Sequence, residues 1–151
     1  MLLYIFRHGE AKPENEDPER GLSDRGREEV KAVCAALART EPRINAIWHS
    51  GKTRAAQTAE LLAAQLHVEE RVFPRSGLSP NDPAPPLLKE IKDQTGNLVI
   101  VGHLPQLGRL ASMLLIGMEK DLLDFPSAGL VCLESSGDSW TLNWFLTPEL
   151  C

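Results

Sequence analysis

Apolar positions along the chain switch repeatedly between two periods. Leu2-Leu3-Tyr4-Ile5-Phe6 is a short continuous apolar run with aromatic and β-branched members, the mark of a buried strand. Val30, Val33, Cys34 and Leu37 then recur at i, i+3, i+4 and i+7, the stripe of an amphipathic helix. Ser23 and Asp24 supply its start and Pro42 its stop. Residues 44–49 return to a strand that ends in His49. Ser50 reads as the cap of a second helix, in which Ala59, Leu62, Ala63 and Leu66 repeat the helical spacing. Residues 68–73 predict a third strand. Residues 79–86 hold four prolines, with Asn81 and Asp82, and predict a rigid loop. Leu87, Leu88 and Ile91 predict a short helix ending near Gly96. Residues 97–101 give the clearest buried strand, with His103 at its exit. Pro105 suits the first turn of a helix whose buried stripe is Leu107, Leu110, Ala111 and Leu114. Residues 129–134 and 140–146, separated by Ser-Ser-Gly-Asp-Ser, predict a β-hairpin with Trp140 and Trp144 on one face.

Strands alternating with helices, closed by a hairpin, predict an α/β/α sandwich: a mostly parallel sheet with an antiparallel edge. At 151 residues, with no repeat or linker, the chain is expected to be one domain over 1–151. The net charge of −5 argues against a nucleic-acid binder, which carries a basic excess. An anionic ligand would therefore be caught by a local positive pocket. Arg7 interrupts the first apolar run too early for a signal-peptide core, and no stretch approaches the roughly 20 apolar residues of a membrane span. Cys34, Cys132 and Cys151 are odd in number and widely spaced, which fits free thiols in a reducing cytoplasm.

The candidate chemistry sits where strands end. Arg7-His8-Gly9-Glu10 follows the first strand, and ligands of open α/β sheets bind at carboxyl ends of strands. A guanidinium forks onto a phosphoryl group, imidazole can attack one, and a glycine lets the backbone approach closely. Arg54 falls in the first turn after the second strand, and His103 at the exit of the fourth. Adjacent parallel strands would bring Arg7, His8, Arg54 and His103 to one edge, beside helix N-termini with their N–H donors. The expectation is a dianion pocket containing a nucleophile. No metal and no cofactor is expected, because the arginines repel a cation. His49, beside Ser50, is a further residue that could line the pocket.

With these residues in view, the sequence resembles the histidine phosphatase superfamily and, more narrowly, its SixA-type phosphohistidine phosphatases. Arg7-His8-Gly9-Glu10-Ala11 is similar to the family's opening signature. Leu22-Ser23 with Gly26 is similar to its helix start, and the stretch Ser50-Gly51-Lys52-Thr53-Arg54-Ala55-Ala56-Gln57-Thr58 to its Ser-x-x-x-Arg-Ala-x-Gln-Thr. Val101-Gly102-His103-Leu104-Pro105 resembles the second histidine segment, and Ser127-Ala128 with Trp144 resembles the tail of that branch.

The resemblance implies a phosphoglycerate mutase-like fold without a cap domain. His8 would be the nucleophile, forming a phosphohistidine enzyme that water cleaves. Arg7, Arg54 and a protonated His103 would hold the equatorial oxygens. Gly9, Glu10, Ser50 and Ser127 would lie at the pocket periphery, Glu10 orienting the loop. Relatives that cleave phosphate esters protonate the leaving alkoxide with a carboxylic acid. Here Leu104 follows His103, and Asp82 is the candidate general acid. An alkoxide leaves badly, its parent alcohol having a pKa near that of water at about 15.7, whereas imidazole leaves readily. Phosphohistidine is therefore the substrate for which a missing acid costs least. The implied partner is a phosphohistidine-bearing protein, such as a histidine phosphotransfer domain, and inorganic phosphate or sulfate would suit the pocket. A small-molecule phosphomonoesterase of the same superfamily and a non-catalytic phosphoprotein-binding module are the alternatives.

Overall fold

The computed structural model describes residues 1–70 and 72–151. A six-stranded sheet runs through the molecule in the order β3-β2-β4-β1-β5-β6. The strands are β1 (Leu2–Arg7), β2 (Ala46–His49), β3 (Val72–Pro74), β4 (Leu98–Gly102), β5 (Leu130–Ser136) and β6 (Ser139–Leu146). β1 to β4 pair in parallel, while β5 and β6 form the antiparallel edge. The helices are α1 (Asp24–Ala38), α2 (Thr53–Ala63), α3 (Ala84–Lys92) and α4 (Gln106–Ile116). α1 and α2 bury Val30, Val33, Leu37, Ala55 and Leu62 with Phe6, Ile47 and Val99 on one face of the sheet. α3 and α4 bury Leu87, Ile91, Leu107 and Leu110 with Ile5, Trp48 and Ile100 on the other. Consecutive residues of β1 and β4 thus face opposite helix layers, which is why both strands read as unbroken apolar runs. The three-layer sandwich is the one expected. Among the described residues no helix is long and apolar enough to cross a membrane.

Four local readings need correction. The second helix begins at Thr53 with Lys52 as its cap residue, so Ser50 does not cap it. α3 begins inside the proline loop, at Ala84, because Pro85 and Pro86 fall in the first turn where no N–H is needed. The third strand is Val72–Pro74, while Val68 forms an isolated bridge to Ile44; residue 71 of the expected 68–73 lies outside the described residues. Trp140 and Trp144 do not share a face. The register shifts between Cys132 and Leu133, leaving Asn143 as an extra residue opposite them. Such a bulge reverses side-chain alternation. Trp140 therefore packs with the α3/α4 core, and Trp144 against the other core beside Tyr4.

Candidate active site

The site is built on the carboxyl ends of β1 and β4. Arg7 is in register with Gly102. Its N–H donates to Gly129 O at 3.0 Å, and the His8 N–H to Gly102 O at 3.1 Å. The tail closes over the same turn, with the Ala128 N–H donating to His8 O at 3.1 Å. Beyond His8 the backbone must run tightly against α1. A Cβ on Gly9 would lie 2.6 Å from Val30 Cγ2, and one on Gly26 would lie 2.1 Å from Glu10 O. Both positions are closed to any side chain. The Ser23 hydroxyl caps α1 by accepting from the Gly26 N–H at 3.0 Å and donates to the Glu10 carboxylate at 2.8 Å.

His8 Nδ1 lies 2.6 Å from Gly9 O. A carbonyl can only accept, so this nitrogen carries the proton and Nε2 keeps its lone pair. The His8 and His103 rings lie 4.8 Å apart, inclined at 53°. His103 Nε2 shares a 2.6 Å hydrogen bond with Ser50 Oγ, whereas its Nδ1 is buried without a partner among the described residues. Ser50 is freed for this by the turn at Gly51, whose φ of +87° suits glycine. The Gly51 N–H donates to His49 Nδ1 at 3.1 Å. His49 thus holds that turn from beneath. Arg7 Nη1 donates to Phe125 O at 2.8 Å, and its Nε is buried without a partner among the described residues.

Burial is the main cause of every shifted titration here. It drives the His8 pKa down to about 4, with Arg54, Arg7 and Arg20 adding to the effect against the Gly9 hydrogen bond. It drives His103 to about 3, reinforced by His8, Arg54, Lys52 and Arg7. Arg7 and Arg54 are likewise lowered by burial. The expectation for His103 is a protonated donor, but burial, reinforced by the cations around it, favours the neutral ring. A dianion among the same groups reverses that field and favours a proton on His103. The cluster can thus bind a doubly charged oxyanion with two guanidinium groups and offer it a neutral imidazole nitrogen.

Glu10, Ser127 and Asp82 open onto cavities whose linings include none of Arg7, His8, Arg54 and His103. Glu10 and Ser127 line a cavity of about 470 Å³ with Arg25, Glu29 and Glu149. Asp82 accepts the Ser79 N–H at 2.9 Å and lines a shallow pocket with Ser76, Gly77 and Glu90. Arg54 opens instead onto a groove of about 590 Å³ bordered by Glu14, Glu19, Arg20, Lys52 and Thr53. Among the described residues no cluster of His, Cys, Asp and Glu has the arrangement of a metal site.

The model of the histidine phosphatase superfamily (branch 1) matches residues 3–78. A protein of uncharacterised function from Picosynechococcus sp. is 34% identical over 143 residues, covering 89% of this chain and 86% of its own. The chain belongs to the histidine phosphatase superfamily. The superfamily is one of phosphatases, and its fold is carried through the whole molecule. The structure of the protein histidine phosphatase SixA complexed with tungstate superposes with a TM-score of 0.88 at 23% identity, covering 98% of this chain and 97% of that one. Phosphoserine phosphatase from Entamoeba histolytica in complex with 3-phosphoglyceric acid gives 0.73 at 17%, covering 99% of each.

The superfamily match also draws in residues for which the sequence suggested no role. Thr58 is fully buried in α2. Its hydroxyl accepts the Gly9 N–H at 3.1 Å and donates to Arg54 O at 2.8 Å. Gln57 Oε1 accepts the Leu22 N–H at 2.7 Å. The Gln-Thr pair thus ties the turn after β1 to the helix that carries Arg54. Its helical spacing from Arg54 was the available signal. Arg20, in a polar loop, gave none.

Proposed function

We propose that this chain is a phosphohistidine protein phosphatase that acts through phospho-His8 without a metal. The observation that carries the reading is His8 itself. Its Nδ1 is committed to the Gly9 carbonyl, which leaves the lone pair on Nε2; the His103 ring lies 4.8 Å away, and the charges of Arg7 and Arg54 act on the ring. Nε2 attacks phosphorus while the P–N bond to the donor imidazole breaks. A donor ring protonated on its other nitrogen leaves as neutral imidazole and needs no acid from the enzyme. The phosphorylated His8 ring, with its Nδ1–H retained, is cationic, and the Gly9 carbonyl stabilises it. Water then attacks phosphorus, Nε2 leaves with its electron pair, and the proton lost by water passes to phosphate or solvent. Arg7, Arg54 and a His103 recharged by the dianion hold the equatorial oxygens, where charge spreads during transfer.

The histidine donor is favoured by the position of Asp82, whose carboxylate is tied to the Ser79 N–H and lines a pocket separate from the groove beside Arg54. The likeness to SixA, a protein histidine phosphatase whose structure holds tungstate, supports an oxyanion in this pocket and a phosphohistidine-bearing protein as donor; the carrier proposed is a histidine phosphotransfer domain or similar. We take residues 1–151 as one catalytic domain. Two of its three free thiols are buried, in keeping with a reducing cytoplasm.

The test is phosphate release from a phosphohistidine-bearing phosphotransfer domain and from p-nitrophenyl phosphate, for wild type and Asp82→Ala. Faster release from the protein donor, within about twofold in Asp82→Ala, is expected. The phosphoserine phosphatase neighbour gives the small-molecule esterase its standing. Preferred turnover of the ester, crippled in Asp82→Ala, would establish that second reading.

A further inference from the structure

The groups that face the phosphoryl site are each partly committed to protein. His8 Nδ1 holds Gly9 O, Arg7 Nη1 holds Phe125 O, and His103 Nε2 holds Ser50 Oγ. A further cation stands beside Arg54. Arg20 and Arg54 line one groove, and the Arg20 charge is felt at both His8 and Arg54.

The loop that carries Arg20 is held in an uncommon conformation. Its φ is 51°, in the left-handed region that side-chain-bearing residues seldom enter. Hydrogen bonds fix it there from both sides. The Arg20 N–H donates to Asp17 O at 2.9 Å, and the Lys12 N–H to Gly21 O at 2.8 Å. Asp17 Oδ2 accepts the Gly21 N–H at 2.8 Å, and Gln57 clamps the adjacent Leu22 to α2.

The guanidinium itself is only half used. Nε donates to Lys12 O at 3.2 Å. Among the described residues Nη1 and Nη2 have no hydrogen bond, and no ion pair joins Arg20 to Glu14 or Glu19, although all three border the groove. An exposed arginine with carboxylates at hand would ordinarily turn to them. Here the loop is braced, Nε anchors the stem, and Arg20 borders the groove shared with Arg54 with both Nη groups unpaired among the described residues.

We propose that Arg20 is a third phosphoryl-binding arginine, which with Arg54 takes the oxygens on the groove side of the pocket. The assignment rests on the phosphoryl-transfer reading of the site. Its free Nη pair can make the forked, charge-assisted bonds that a tetrahedral oxyanion accepts. It also divides the labour: Arg7 grips from the buried side, and Arg20 closes the open side where the donor protein departs.

The test is calorimetric titration with tungstate, alongside turnover of a phosphohistidine phosphotransfer domain, for wild type, R20G, R20N, R20K and R54Q. Gly and Asn tolerate the left-handed backbone, so they remove the guanidinium while keeping the loop. R20G and R20N are expected to weaken tungstate roughly tenfold or more, as loss of charged hydrogen bonds does. R20K should fall between them and wild type, and the protein donor's KM should rise in parallel. R20G and R20N binding tungstate within about twofold of wild type, while R54Q loses it, would overturn the role of Arg20. Tungstate binding that depends on Arg20 in a protein that turns over no phosphohistidine would sustain Arg20 and remove the proposed substrate. A wild type that does not bind tungstate would remove both.

Discussion

At the scale of single residues, burial among guanidinium groups sets the chemistry of His8. Its pKa is lowered from 6.5 to about 4, so the neutral ring that the proposed attack requires persists as pH falls below 6.5 and is lost only near 4. With the acid-lability blank of the donor subtracted, kcat/KM should therefore lose its His8-dependent activity near pH 4. A limb centred at 6.5 that vanishes with substitution of His8 would contradict this. Thr58 reaches the proposed nucleophile through the backbone, because its hydroxyl accepts the Gly9 N–H and donates to Arg54 O. Thr58→Val should lower kcat about tenfold with little change in KM, and leaving a buried N–H unpaired should cost about 1–3 kcal/mol of stability. Thr58→Ser should recover most of both. A purely structural role would shift the urea midpoint and leave kcat alone. The residues at strand ends were legible because strand position and side-chain chemistry both mark them. Arg20 was not, and for Ser50 the local pattern offered a helix cap while only the resemblance implied the pocket periphery. Their orientation depends on a turn at Gly51 and on hydrogen bonds from Asp17 and Gln57, which no local periodicity records.

At the scale of elements, the turn after β1 and the first turn of α1 interlock through missing side chains. A Gly26 Cβ would lie 2.1 Å from the Glu10 carbonyl oxygen, which is backbone and cannot swing aside. Gly26→Ala should therefore destabilise the protein by about 2–3 kcal/mol, in the range of overpacked sites, and lower activity by displacing His8. A urea midpoint equal to wild type would show that the two elements separate easily. The helices were readable from their 3.6-residue stripes, since Val30, Val33, Cys34 and Leu37 of α1 are all buried. The hairpin was readable in outline only. One extra residue, Asn143, reverses the alternation of β6 and sends the tryptophans to opposite cores. A bulge carries no composition signal, so sequence alternation alone put them together.

At the scale of the whole molecule, a net charge of −5 surrounds a pocket of arginine and histidine. The price of assembling that pocket is set by its two imidazoles, both lowered from 6.5, to about 4 and about 3. Unfolded, each binds a proton as pH falls through 6.5; folded, each resists until near its own lowered value. The unfolded state thus binds more protons in between, so stability is full above 6.5 and declines as pH falls toward 4 and 3. The Asp17 carboxylate is also lowered, from 3.8, and its contribution disappears only below that value. The urea midpoint should drop between pH 7 and 5, and the drop should shrink in His8→Asn. A midpoint that is flat over this interval would contradict the burial of neutral imidazoles. The layered fold follows from strands flanked by amphipathic helices; the groove shared by Arg20 and Arg54 is a tertiary property.

The central claim is transfer of the phosphoryl group to His8 Nε2. The most direct measurement is rapid mixing with a phosphohistidine phosphotransfer domain, alkaline quenching, and mass spectrometry of the peptide containing His8. A phosphoryl group on His8 that forms and decays as phosphate is released, and that is absent in His8→Ala, is the predicted result. Phosphate release at wild-type rate by His8→Ala would contradict the account.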